Sequence, residues 1–143
     1  MVEQDCGPLI KRAANALKNC LDKQLARFGI TSVQGRVLFF LWVNRDKPAV
    51  NQRDIEAHLA LRCSTVAGLI GRMAENGLLT RVQSRTDGRR NCLALTEKGR
   101  ALYHDVEGVV RAIEARLLDG MSGAETEQLR ELLGKVLHNL EQI

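Results

Sequence analysis

The chain has 143 residues with 21 basic and 17 acidic side chains, a formal net charge of +4, and enough length to bury one hydrophobic core. Aromatic residues make up only 3% of it, so aliphatic side chains must supply that core, which suits helices packed on helices. No apolar run approaches the ~20 residues needed to span a bilayer, and the acidic start Met1-Val2-Glu3-Gln4-Asp5 lacks the apolar stretch of a secretory signal; no membrane partner and a cytoplasmic location are expected.

Leu9, Ile10, Ala13, Ala14, Leu17, Leu21, Leu25 and Phe28 recur at helical spacing, predicting a first helix of about five turns that stops near Gly29. Thr31 or Ser32 opens a second helix that runs to Asn44. Its centre, residues 37–43, is apolar on every side and must be covered all round, as the hub of a core, the wall of a ligand cavity or a subunit contact. Phe39 and Trp42 lie off the stripe of Val37, Leu38 and Leu41 and are the candidates for an effector pocket.

Residues 46–48 read as a loop. Asn51, followed by Asp54, caps a short helix carrying Ile55 and Leu59. After a tight turn the next helix buries Val66, Leu69, Ile70 and Met73 and leaves Thr65, Gly68 and Arg72 on the opposite face, with Ser64 at its N-terminal end. An outer face of small polar residues plus arginine can lie against base edges in a major groove. Gly68 fits that use, since a bulky side chain would hold the backbone away.

Gly77 ends this helix. Residues 78–82 and 92–95 alternate as two short strands joined by residues 83–91. Thr96 caps the following helix, and Glu97 stands in its first turn, where the helix dipole favours an anion. Leu102, Val106, Val109, Ile113 and Leu117 give that helix an apolar seam, and Gly120 breaks it. Ser122 and Glu125 form a capping box for a last helix, whose Leu129, Leu132, Leu133, Val136, Leu137, Leu140 and Ile143 form another seam. The terminal helices carry more apolar seam than a small head can cover, and a second copy of the chain is the economical partner. A twofold dimer would set two reading helices about one DNA turn apart, ~34 Å.

The charge is concentrated. Between Arg62 and Arg90 stand six arginines (Arg62, Arg72, Arg81, Arg85, Arg89 and Arg90) against two acids, Glu75 and Asp87, so this stretch holds the whole net charge and the remainder balances. A cationic patch on a neutral body is the footprint of a binder of the phosphate backbone. Enzyme chemistry has no support: there is no Ser-His-Asp order, Gly-rich phosphate loop or carboxylate cluster. Cys6, Cys20, Cys63 and Cys92 are too far apart for a paired C-x-x-C motif, and His58, His104 and His138 have no partner one helical turn away, so neither metal nor cofactor is expected. Reactive thiols need a cationic, accessible setting. Cys63 beside Arg62 and Cys92 near Arg90 meet that loosely, which leaves a thiol-based redox regulator as the alternative function.

The wing segment carries a signature. Asp87 and Arg89 are followed after five residues by Leu95 and Thr96, then by Glu97-Lys98-Gly99; upstream stand Gly77-Leu78-Leu79-Thr80-Arg81 and Ser64-Thr65-Val66. In these features, and helix for helix along essentially its whole length, the chain resembles the multiple-antibiotic-resistance regulator (MarR) family of bacterial transcription factors. The resemblance implies a mainly α fold with a small β-wing: a winged helix-turn-helix head over residues 31–96, with dimerisation helices over 8–30 and 97–143. It implies a homodimeric repressor that binds a pseudo-palindromic double-stranded DNA operator through Arg62, Ser64, Thr65, Gly68, Arg72, Arg81, Arg85, Asp87, Arg89 and Arg90. It also implies release by a small phenolic or amphipathic effector. The family's wing arginine corresponds to Arg89 and its orienting acid to Asp87; with Arg90 adjacent, either arginine could be the one that enters the minor groove. The first helix lacks the usual surroundings of the reactive cysteine in hydroperoxide-sensing members, which counts against Cys6 and Cys20 as sensors.

Overall fold

The computed structural model describes residues 4–83 and 91–143. Its elements run α1 (Cys6–Leu25), a 3-10 turn (Ala26–Phe28), α2 (Ser32–Val43), α3 (Gln52–Leu59), α4 (Cys63–Glu75), β1 (Leu79–Gln83), β2 (Asn91–Leu95), α5 (Glu97–Leu117) and α6 (Gly123–Glu141). The chain divides into two compact units, Met1–Val110 and Arg111–Ile143. Among the described residues no helix is long and apolar enough to cross a membrane.

In the first unit the helix boundaries follow from local chemistry. Gly29 stops the first helical run in the left-handed region, at φ 71°, where a side chain would be strained. Thr31 rather than Ser32 caps α2: its hydroxyl accepts from the Gln34 amide at 3.3 Å while the Gln34 side chain accepts from the Thr31 amide at 3.0 Å. The Ser32 amide donates instead to Asp22 at 2.8 Å, tying the start of α2 to α1. Asp22 also receives Lys18 at 2.8 Å. The Lys18 hydrogen bond, and then the Ser32 amide, pull its carboxyl down from 3.8 to about 2. Asn51 and Asp54 make a second reciprocal box at the start of α3.

The core of this unit is aliphatic, with Leu25, Val37, Leu38, Ile55, Val66, Ile70, Met73 and Leu79 fully enclosed. Helix α2 is its hub, but only on one side. Phe39 and Val43 are about half exposed, at 49% and 51%, so the expectation of cover all round is not met within one chain. The stripe of Val37, Leu38 and Leu41 is the face the chain itself buries. At Gly35 a Cβ would stand 3.5 Å from both Leu25 and Val106, so α1, α2 and α5 converge there.

The wing is an antiparallel pair with Leu79 opposite Leu95 and Arg81 opposite Leu93. Each strand begins or ends within one residue of the sequence expectation. The Leu93 amide donates to the Val50 carbonyl at 2.7 Å, fastening β2 to the loop before α3. Thr96 then does two jobs. Its hydroxyl accepts from the Gly99 amide at 3.0 Å, capping α5, and donates to the Gly77 carbonyl at 2.5 Å.

In the second unit Ser122 and Glu125 close the capping box of α6, both bonds at 3.1 Å, after Gly120 turns the chain at φ 81°. Ile113 is buried. Helix α6 has no buried residue: Leu132, Leu133, Leu137 and Leu140 are 43–60% exposed and Ile143 is 99% exposed. On α1, Leu9, Ile10 and Leu17 of the first unit are exposed in the same way.

Among the described glycines, Gly99 sits in the tightest approach. A Cβ at this position would lie 2.0 Å from the Leu78 carbonyl oxygen, and backbone cannot swing aside as a side chain can. Gly99→Ala is expected to destabilise the protein by about 1–3 kcal/mol, as overpacking does. Chemical denaturation of the two proteins measures this, and equal midpoints would show that the joint is looser than described.

Candidate nucleic-acid interface

Helix α4 buries Val66, Leu69, Ile70 and Met73, the four residues that its periodicity singles out. Ser64, Thr65, Gly68 and Arg72 are exposed on the outer side. Its N-cap is Arg62, which makes no side-chain capping bond, and its first turn holds no acid. The amides of that turn therefore face outward at the positive end of the helix dipole, a setting that favours anions such as phosphate. Helix α3 leads into α4 through Ala60, whose left-handed conformation (φ 54°) makes the turn tight.

Two arginines lie over two glycines on this helix. The Arg72 guanidinium is 3.7 Å from where a Cβ on Gly68 would be, and the Arg81 guanidinium is 3.7 Å from the same point on Gly71. Both distances are ordinary contacts, so the chain itself does not demand glycine at either position. Arg81 shares the face of the wing occupied by Leu79 and Leu93 and leans onto α4. It links the root of the wing to the helix, and Gly71, which the sequence reading passed over, is where it rests. Arg85, Asp87, Arg89 and Arg90 lie outside the described residues.

Gln52 joins α3 to the start of α4. Its amide donates to Glu56 at 3.1 Å, to the Cys63 carbonyl at 3.4 Å and to the Cys63 sulfur at 3.6 Å. Neither Gln52 nor the exposed Arg53 beside it stood out in the sequence, because a single polar residue in a first helical turn carries no periodic signal. The setting of Cys63 also differs from the one its neighbour Arg62 suggested. The Glu56 carboxylate accepts from the thiol, and that bond together with its negative charge pushes the thiol up from its ordinary value. A raised thiol is mostly protonated at neutral pH and slow as a nucleophile. Cys6 and Cys20 are exposed, and Cys92 is partly buried on β2.

The proposed pocket residues Phe39 and Trp42 differ in their surroundings. Phe39 stands on the exposed side of α2. Trp42 is stacked on Tyr103 of α5 at 4.9 Å between ring centres, meets His104 edge-on at 4.8 Å, and is covered by the Arg45 guanidinium at 4.1 Å. A half-open cavity of about 470 Å³ does exist in this unit, but it is lined from Phe28–Ile30, Asn76, Leu78 and α5, not by Phe39 or Trp42.

Comparison with known proteins places this geometry. The family model for the MarR family matches residues 28–90, the span from the end of the first helical run to the wing. The transcriptional regulator MgrA of Staphylococcus aureus is 28% identical over 140 residues, covering 98% of this chain and 92% of that protein. The transcriptional repressor IacR of Pseudomonas putida is 29% identical over 103 residues, covering 72% of this chain but only 62% of IacR. The S. aureus MepR–DNA complex superposes with a TM-score of 0.85 at 26% identity, covering 98% of this chain and 99% of MepR. CouR of Rhodococcus jostii RHA1, bound to p-coumaroyl-CoA, gives 0.79 at 28% identity, covering 94% and 92%.

The chain matches the MarR family over its central part and is similar to regulators of that family along its length.

It is a DNA-binding transcriptional regulator with a winged-helix fold. The relatives compared are transcriptional regulators. The position of Cys63 on the first turn of α4 makes its reactivity a sensitive reporter of this region. Replacing Glu56 by Gln removes the carboxylate that holds the thiol up, so Glu56→Gln should speed alkylation of Cys63 by iodoacetamide at neutral pH. Peptide mass spectrometry with Cys6 and Cys20 as internal references reads the change. An unchanged Cys63 rate would show that Glu56 does not control the thiol.

Proposed function

We propose that the protein is a homodimeric repressor that holds a pseudo-palindromic operator and lets go of it when a small amphipathic molecule binds. In this reading residues 31–96 contact DNA and residues 8–30 and 97–143 bring two copies together. The observation that carries the reading is the outer face of α4: small polar side chains and arginine, no acid in the first turn, and arginines gathered from the helix and from the wing root. Such a face, with Gly68 exposed at its centre, can approach base edges closely.

Roles divide by position. Ser64, Thr65, Gly68 and Arg72 face the bases. Arg62, at the cap, takes a phosphate, and Arg81 braces the wing against α4 while remaining near the backbone. Arg89 or Arg90 enters a neighbouring minor groove, where narrow A·T tracts concentrate negative potential, and Asp87 and Arg85 support that tip. Arg72→Ala should alter the consensus returned by selection from randomised sites, whereas Arg62→Ala should weaken all sequences alike. Arg89→Ala should cost ~1–3 kcal/mol of operator affinity and reduce preference for A·T-rich flanks. If selection returned the same consensus for Arg72→Ala, and Arg89→Ala and Arg90→Ala both bound at full strength, the reading face would lie elsewhere.

The dimer rests on the seam of α6 and the exposed leucines of α1. A leucine moved from water into an apolar interface contributes roughly 1.5–3 kcal/mol, so several meeting across a twofold axis can exceed the ~4–15 kcal/mol cost of association. Leu133→Asp or Leu137→Asp should leave monomer or misfolded chain, with operator binding lost in both cases. Sedimentation equilibrium at micromolar concentration decides it. A monomeric variant that still bound a palindrome with one chain per site would contradict the dimer.

Effector control draws on CouR, whose solved complex holds p-coumaroyl-CoA. Linkage sets the condition: a ligand releases DNA only to the extent that it prefers the conformation that cannot bind DNA.

A further inference from the structure

The cavity at the joint between α4 and α5 is lined by a lysine, an aspartate and several apolar side chains. Lys98 and Asp105, both on its lining, are seven residues apart on α5, so they share one helix face about 10 Å apart. Phe28, Leu78 and Leu102 supply apolar lining. Its volume, about 470 Å³, falls within the range of small-molecule sites.

The two charged groups are differently engaged. The Lys98 ammonium donates to the Asn76 carbonyl at 2.8 Å, and Asn76 is the C-cap of α4. Asp105 has no ion-pair or hydrogen-bond partner among the described residues. A neutral carbonyl is a weaker partner for an ammonium than a carboxylate is, so Lys98 is held by a bond that an incoming anion can displace. Asp105 is open to a cation without giving anything up.

We propose that this cavity binds an elongated amphipathic molecule with a carboxylate at one end and an ammonium at the other, the carboxylate taking Lys98 from the Asn76 carbonyl and the ammonium pairing with Asp105. The proposal rests on the effector-responsive reading and names the site and ligand class. Its consequence is mechanical. The Lys98–Asn76 bond is one of the ties by which α5 holds the C-terminal end of α4, so occupancy at this joint loosens the reading helix at its far end from Arg62. Phe39 and Trp42 play no part in it.

The test uses the full chain and three probes that differ only in their ends: 8-aminooctanoate, octanoate and octylamine. Calorimetric titration without DNA should show the two-headed probe binding about tenfold or more tightly than either single-headed one, the usual consequence of one added charged hydrogen bond. Lys98→Met should erase its advantage over octylamine, and Asp105→Asn its advantage over octanoate. Operator affinity of the wild type should fall as 8-aminooctanoate is added. Should Lys98→Met fail to fold, the Asp105→Asn comparison decides by itself. Equal binding of all three probes, indifference to Asp105→Asn, or operator affinity unmoved with the site filled would each overturn the proposal. Because the titrations contain no DNA, failure there leaves the DNA-reading proposal standing.

Discussion

The carbonyl groups that end the reading helix and open the wing are taken up by the first turn of α5. Thr96 donates to Gly77 and receives Gly99, its amide donates to the Leu78 carbonyl at 3.1 Å, and Lys98 donates to Asn76. This joint is possible because Gly99 has no side chain to strike the Leu78 carbonyl. It fixes the end of α4, the root of β1 and the direction of α5 with one set of hydrogen bonds. On the proposed reading α4 presents Ser64, Thr65 and Arg72 in a set orientation and draws on this anchor, because the turn before it holds a left-handed alanine and its N-cap side chain makes no capping bond.

From that joint two kinds of surface extend. One is cationic: the outer face of α4 and the arginines leaning on Gly68 and Gly71. The other kind is aliphatic: bare leucines on α1 in the first unit and on α6 in the second. The proposed partners for these chemistries are a polyanion and a second copy of the chain. On the proposed dimer, twofold pairing would repeat the cationic surface at a spacing that duplex DNA can match.

The sequence made the scaffold legible wherever a residue's role is local. The stripe of Val66, Leu69, Ile70 and Met73 is buried as its period requires, and Asn51, Thr96 and Ser122 cap the helices they precede because short polar side chains reach amides only two or three residues on. Contacts between distant segments were not legible. Trp42 stacks on Tyr103, Arg81 settles over Gly71, and Glu56 governs Cys63, each through an approach that no local pattern encodes. An apolar helix such as α2 announces that it must be covered, but not by what: Trp42 meets an aromatic cluster and Phe39 stands on an open face.

The central claim, that two copies of α4 lie in successive major grooves of one operator, is tested most directly by affinity cleavage. An iron chelate attached through Thr65→Cys, in a chain whose four native cysteines are replaced by serine, cuts DNA beside the first turn of α4. The account predicts two cleavage centres per operator, related by the operator's twofold axis and separated by about one helical turn, ~10 base pairs. A single centre, or diffuse cutting spread along the duplex, would contradict it.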